Sequence, residues 1–320
     1  MRIRQDHYRY HNSCIIIRLK IYNMESKILV SIQCLVYNHE PYLRKCLDGF
    51  VMQKTNFNFE AIVHDDCSTD KSCAIIREYA EKYPDIIKPI YEKENQYSKH
   101  DGSLNRIMDN ASIGKYIAIC EGDDYWIDPF KLQKQVDFLE SHPDFDMVRT
   151  DSSVYYQDTN VTINSVFGKK IFPNCEDTFV DYVVRPAWLA TCSWLIRSPL
   201  GDYDNLPNDC FKGDLALMIY IAKRSKVKYL PEVTSVYRVL KNSASHFTNS
   251  AETIRFWKSQ VNTRCYYARY LSFSKKIILI KNILVNGRHL YINYRKFNLG
   301  GFLYLSYDII LRVLGKNIDN

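Results

Sequence analysis

From residue 27 the chain alternates short apolar runs with amphipathic stretches. The run "KILVSIQCLVYN" (27–38) is apolar enough to read as a buried strand. The stretch "EPYLRKCLDGFVMQ" (40–53) sets Leu43, Leu47 and Phe50 at i, i+4 and i+7, one face of a helix. "FEAIVH" (59–64) predicts a second strand, and "DKSCAIIREYAEKY" (70–83) a helix closed by Pro84. A third strand is expected at "IIKPIY" (86–91), a short helix over 103–112 and a fourth strand at "KYIAIC" (115–120). "DPFKLQKQVDFLES" (128–141) predicts a helix with Asp128 as N-cap and Pro129 at its first position. Such alternation argues for an α/β fold, a parallel sheet with helices on both faces. No internal repeat or low-complexity segment interrupts it.

In sheets of this kind ligands bind beyond the carboxyl ends of the strands. Polar clusters fall at those ends: "YNHE" after the first strand, "DDCSTD" after the second and "EGDD" after the fourth. In "HDDCSTD" (64–70), Ser68, Thr69 or Asp70 is expected to cap the following helix. Capping leaves the pair Asp65–Asp66 unexplained, and a carboxylate there can accept the N3–H of a uracil. In "CEGDDYW" (120–126), Glu121, Asp123 and Asp124 put three carboxylates inside four residues. They repel one another and lose hydration if buried, so something must compensate them. Solvent does so if the turn is open. A divalent cation does so if Asp123 and Asp124 hold it and leave positions for phosphate oxygens. Asp214 stands before "LALMIYIAKR", where on the residues alone it reads as a helix cap.

With 320 residues, 46% hydrophobic and 25% charged, the chain suits one large or two modest globular domains. Its ten cysteines make no CxxC pair, which fits free thiols in a reducing cytosol better than disulfides or a zinc site. No apolar run approaches the ~18 residues that span a bilayer. The basic start, residues 1–23, is a poor signal peptide and reads as a disordered extension, or as the result of a start codon placed ahead of Met24. The net charge of +7 is unevenly spread, because residues 251–320 hold 12 Lys/Arg against 3 Asp/Glu. That tail reads as two or three amphipathic helices. Its basic face is either solvated or attached to an anionic membrane surface, and no nucleic-acid recognition motif accompanies the charge.

Taken in order, "VSIQCLVYNHEPYLRKCLDGFVMQ", "FEAIVHDDCSTDKS" and "GKYIAICEGDDYWIDPFKLQKQVDFLE" closely resemble the inverting family-2 glycosyltransferases of the GT-A fold. "TCSWLIR" and "GDLALMIYIAKRSKVKYLPEVTSVYRV" extend the likeness more loosely, to about residue 246. The resemblance implies a Rossmann-like mixed sheet flanked by helices. A nucleotide-binding half would span 24–145, an acceptor half 146–248, and a basic helical extension 249–320. It implies transfer of a sugar, with inversion, from a nucleotide-diphosphate donor (a UDP-sugar first) to a hydroxyl of a glycan or lipid-linked saccharide. Mg²⁺ or Mn²⁺ would be the cofactor, and the place of work cytoplasmic, peripheral on the inner face of the plasma membrane if the tail binds lipid.

On the matching positions, Leu35, Tyr37 and Asn38 border the nucleotide together with Asp65. Asp66 reads the base, Asp123 and Asp124 fall on the metal–ribose motif, and Asp214 falls on the general base. Two departures stand out. Glu121 replaces the usual Asp and is left outside direct coordination, and Gly213 precedes Asp214 where Glu is common. The phosphate-side register stays open between Asn105 and Arg106. Arg238 can pair with a diphosphate or with a core acid, His246 reads as a surface residue, and Trp126, Trp188 and Trp194 can stack on sugars or fill the core. Two other classes use the same features: a metal-dependent nucleotidyltransferase, which would release pyrophosphate, and a catalytically silent membrane-bound scaffold.

Overall fold

The computed structural model describes residues 27–166, 177–185, 190–199, 205–241, 250–294, 309–310 and 312–314. The expected N-terminal extension, Trp188 and His246 lie outside the described residues. In chain order the elements are β1 (Ile28–Val36), α1 (Glu40–Val51), β2 (Asn58–Asp65), α2 (Ser72–Lys82), β3 (Ile87–Tyr91), α3 (Ser103–Ala111), β4 (Tyr116–Ile119), β5 (Tyr125–Trp126) and α4 (Lys131–Ser141). They continue with β6 (Phe145–Tyr156), β7 (Val161–Ile163), α5 (Phe179–Val184), β8 (Trp194–Arg197), α6 (Asp214–Arg224), β9 (Lys226–Val239), α7 (Ser250–Tyr267) and α8 (Phe273–Tyr294). Contacts divide the chain into two compact units, Met1–Val136 with Leu195–Pro199, and Asp137–Trp194 with Leu200–Asn320.

In the first unit β2 and β4 flank β1, all parallel, and β3 adds in parallel beyond β2. The sheet becomes mixed at β8, whose residues 195–197 pair antiparallel with β4. Leu43, Leu47 and Phe50 on α1 are fully buried, as their spacing predicts, and each such burial contributes about 1.5–3 kcal/mol. Gly49 lets α1 lie against β5, since a Cβ there would stand 2.9 Å from the Trp126 amide nitrogen. Trp126 is a core residue: it packs edge-on to Phe50 at 5.0 Å, and the buried Lys131 ammonium lies 4.4 Å over its ring. Trp194 is buried as well, so neither ring is offered to a sugar.

One helix start is corrected. α4 begins at Lys131, and the Asp128 carboxylate instead accepts the Phe130 amide at 2.9 Å while its carbonyl accepts that of Lys131 at 3.2 Å. Asp128 and Pro129 therefore form the turn in front of the helix. The other Asp128 oxygen takes the Lys134 ammonium at 2.6 Å.

In the second unit the long strands β6 and β9 run parallel, with β7 antiparallel on β6. Buried polar residues between them pair off, Thr150 with Thr234 and Ser152 with Ser235, both at 2.6 Å. The Arg149 guanidinium bonds both oxygens of Asp177, at 2.7 and 3.0 Å. α6 is apolar nearly all round and buried from Leu215 to Ile219. The tail belongs to this unit: Thr263 Oγ1 accepts the Phe211 amide at 2.8 Å, and Asn282 donates to the Val184 carbonyl at 2.6 Å. Its charge is not all on a solvated face. Arg264 is buried, its Nε has no hydrogen-bond partner, and burial pushes its pKa down to about 10.

Candidate functional site

Because β2, β1 and β4 are adjacent and parallel, the loops at their carboxyl ends meet at one edge of the first unit. The first two loops hold each other by exchanged hydrogen bonds. The Asn38 amide donates to Ser68 Oγ at 2.9 Å, and Asn38 Oδ1 accepts the Thr69 amide at 2.8 Å. The His39 amide donates to Ser72 Oγ at 3.0 Å. Asp70 accepts two amides at 2.9 Å, those of Glu40 and Ser72, so one carboxylate caps the starts of both α1 and α2. Glu40 answers by accepting the Lys71 amide at 3.1 Å. Both strand ends turn through left-handed residues, Asn38 (φ 56°) and Cys67 (φ 66°). Asn tolerates that region. Cys does not, and strained backbone of this kind clusters at functional sites.

Within this frame Leu35 is half-buried and Tyr37 and Asn38 are exposed at the edge. Asp65 is 2% exposed; its Oδ2 accepts the Ser68 amide at 3.3 Å, and its Oδ1 has no hydrogen-bond partner. Asp66 is equally buried and has a structural role the sequence did not reveal. Its Oδ1 accepts the Gln96 amide at 2.6 Å and its Oδ2 the Tyr97 amide at 3.0 Å, which fixes the loop after β3. Each oxygen keeps one lone pair free for a ligand donor.

The acidic turn docks on the end of β1. The Cys120 amide donates to the Gln33 carbonyl at 3.0 Å, the Gly122 amide to that of Leu35 at 2.9 Å, and the Asp124 amide closes the turn on Glu121 at 3.0 Å. Gly122 is required by crowding, since a Cβ there would stand 2.8 Å from His39 Nδ1 and 3.0 Å from Val36 Cγ2. The turn is therefore not an open, solvated one. Gly122 and Asp124 are buried, and Asp123 stays partly open. His39 Nδ1 is buried without a hydrogen-bond partner, and burial holds this imidazole below its usual pKa despite the opposing charges of Asp123, Asp70 and Asp65.

Among the described residues no three His, Cys, Asp or Glu side chains gather as a ready-made metal site. The donor set still fits a Mg²⁺-type ion, which usually takes one or two carboxylates and fills its shell with water and substrate phosphates. Asp123, the partly open carboxylate, suits that role better than the buried Asp124.

Asp214 belongs to the second unit and opens α6. Its Oδ1 accepts the Leu215 amide at 2.7 Å. The residue keeps some exposure, yet the protein around it pushes its carboxyl up to about 6, the burial outweighing the backbone hydrogen bonds that act the other way. A carboxyl held there can exchange a proton near neutral pH. The Arg238 guanidinium donates to Gln157 Oε1 at 2.5 Å and lies 5.3 Å from the Tyr155 ring. Asn105 and Arg106 both lie on α3, where Arg106 donates to the Asp101 carbonyl at 2.9 Å.

Residues 31–200 match the family description "Glycosyl transferase family 2". The chain belongs to that family. An uncharacterized protein of Mycobacterium tuberculosis is 36% identical over 236 residues, 72% of this chain, and the match spans 64% of that relative's own length. Among solved structures, S. aureus TarS 1–349 in complex with UDP-GlcNAc superimposes with a TM-score of 0.63 at 17% identity, covering 89% of this chain and 82% of that one. The mannosyltransferase PcManGT of Pyrobaculum calidifontis, in complex with GDP-Man and Mn²⁺, gives 0.55 at 18% identity, covering 89% and 80%. At such identities the likeness is one of fold, and the fold is the mixed α/β GT-A type.

Proposed function

We propose that this family member transfers a sugar, with inversion, from a nucleotide-diphosphate donor to a hydroxyl of a glycan or lipid-linked saccharide. The observation that carries the reading is the meeting of three strand-end loops at the end of β1, where Asp65, paired with Val36, has a buried Oδ1 that lacks a donor a bound nucleotide would supply. Tyr37, exposed beside Asn38, offers a ring face to a base, and Asp66 offers its remaining lone pairs. Asp123 would hold the ion, with Asp124 supporting the turn from within. A divalent ion there would neutralise the diphosphate as it departs. Asp214, ionised above about pH 6, would take the proton of the acceptor hydroxyl. TarS was solved with a UDP-sugar and PcManGT with GDP-Man, so the likeness leaves the base open, and we put the UDP-sugars first.

The test is a panel of nucleotide sugars incubated with the protein and Mn²⁺, with and without glycan acceptors. Release of a nucleoside diphosphate from one donor is the expected result. Release of pyrophosphate would point to nucleotidyl transfer instead, and no turnover or binding of any donor would remove the reading.

A further inference from the structure

The outer face of α8 is unlike the rest of the second unit. Inward, Leu279 and Ile283 are buried, and the Asn282 amide is tied to the Val184 carbonyl at 2.6 Å, so the rotation of the helix is fixed. On the opposite side Ile277, Lys281 and Val285 follow at four-residue spacing, with Ile278 beside them and Phe273 at the start. Phe273 is 72% exposed, Ile277 48%, Ile278 41% and Val285 50%. Lys281 is exposed within this face, Lys275 is exposed at the start of the helix on the side of Leu279 and Asn282, and the 22 residues of α8 include no Asp or Glu. Tyr270, just ahead of the helix, is half exposed beneath the Lys223 ammonium at 3.6 Å.

We infer that this face of α8 is a docking surface for an anionic lipid bilayer, on which the helix lies flat. Large apolar side chains held in water by a fixed helix are costly unless something covers them. Lys281 within the face, on a helix without a single acidic residue, says what kind of cover fits: a surface apolar below and negative above, which is the interface of an anionic membrane. The helix rests on the bilayer and does not cross it, since among the described residues no helix is long and apolar enough to do so. A second copy of the chain suits the face poorly, because two such faces would bring lysines against lysines. The inference is independent of the transfer reading and can stand or fall without it.

The experiment is flotation of the full chain with phosphatidylcholine vesicles, either pure or containing about 30% phosphatidylglycerol. Binding is expected only to the anionic vesicles, and should weaken as salt is raised. The substitution Lys281→Glu should lower the partition coefficient by at least about tenfold. Phe273→Ser with Ile277→Ser and Ile278→Ser should lower it as well, while thermal stability and donor binding stay near wild type. Absence of binding by the intact chain, or wild-type binding by either variant, overturns the inference. So does light scattering that shows a dimer which the serine variant alone converts to monomer, for then the face joins two chains.

Discussion

Replacing Asp66 tests whether the residue is a base reader only or also the anchor of the loop after β3. Its carboxylate, 3% exposed, accepts the amides of Gln96 and Tyr97 at 2.6 and 3.0 Å. Hydrogen bonds to a charged group contribute about 1.5–3 kcal/mol each. Tyr97 is exposed, so water can reach part of the loop once the carboxylate is gone and return some of that loss. Asp66→Ala should therefore cost about 2–4 kcal/mol rather than the full sum of two bonds, a large share of the ~5–15 kcal/mol by which a domain is stable. Asp66→Asn keeps one accepting oxygen and turns an N–H toward the other amide, so it should fall between Ala and wild type. Urea unfolding without ligand measures the cost, and hydrogen exchange at Gln96 and Tyr97 localises it. If both variants unfold at the wild-type midpoint with unchanged exchange at those amides, the anchoring argument is wrong. A loss confined to UDP affinity would then leave Asp66 as a base reader alone.

Asp214→Asn should slow transfer about 10²–10⁴-fold and abolish an acid limb near pH 6 in the wild-type profile, with donor affinity unchanged. Because the folded carboxyl titrates above its unfolded value, its charge is penalised above pH 6 and costs nothing when protonated below the unfolded pKa; removal of the charge should stabilise the fold near pH 7, and a variant less stable there marks a cap. Asp123→Ala should lose the Mn²⁺-dependent tightening of UDP at an unchanged melting temperature, whereas Asp124→Ala, at a buried position, should melt lower; equal melting of the two would show that their difference in burial has no energetic weight. Cys67→Gly should raise stability by up to about 1 kcal/mol, the left-handed backbone outweighing the extra freedom of glycine in the unfolded chain, and a lower melting temperature would refute the strain.

The first unit was legible because its strands are apolar runs and its helices keep their spacing, so β1, α1, β2, α2, β3, α3 and β4 stand within a residue or two of where the pattern puts them. The apolar pattern assigns no element at β6 or β9, where Thr150, Ser152, Thr234 and Ser235 interrupt it: these polar residues sit inside strands and satisfy one another by hydrogen bonds, which hydropathy counts as exposure. The antiparallel strand β8 was hidden for another reason, since it joins a sheet whose neighbour β4 ends 75 residues earlier in the chain, and local pattern carries no pairing over that distance.

The same limit governs the candidate site. Residue type and position at a strand end marked Asn38, Asp65, Asp66, Asp123 and Asp124 as chemistry-bearing, but could not say which carboxylates the protein consumes for itself. Asp70 is consumed by two amides, Asp66 by two more, and Asp124 is folded inward. What remains for a ligand is the unpaired Oδ1 of Asp65, the second lone pairs of Asp66 and the partial exposure of Asp123. A cluster of acids at one sheet edge is thus mostly scaffold. Its internal bonds hold the loops so that the few unsatisfied atoms are fixed in place before a nucleotide arrives, and a site built this way need not reorganise to bind.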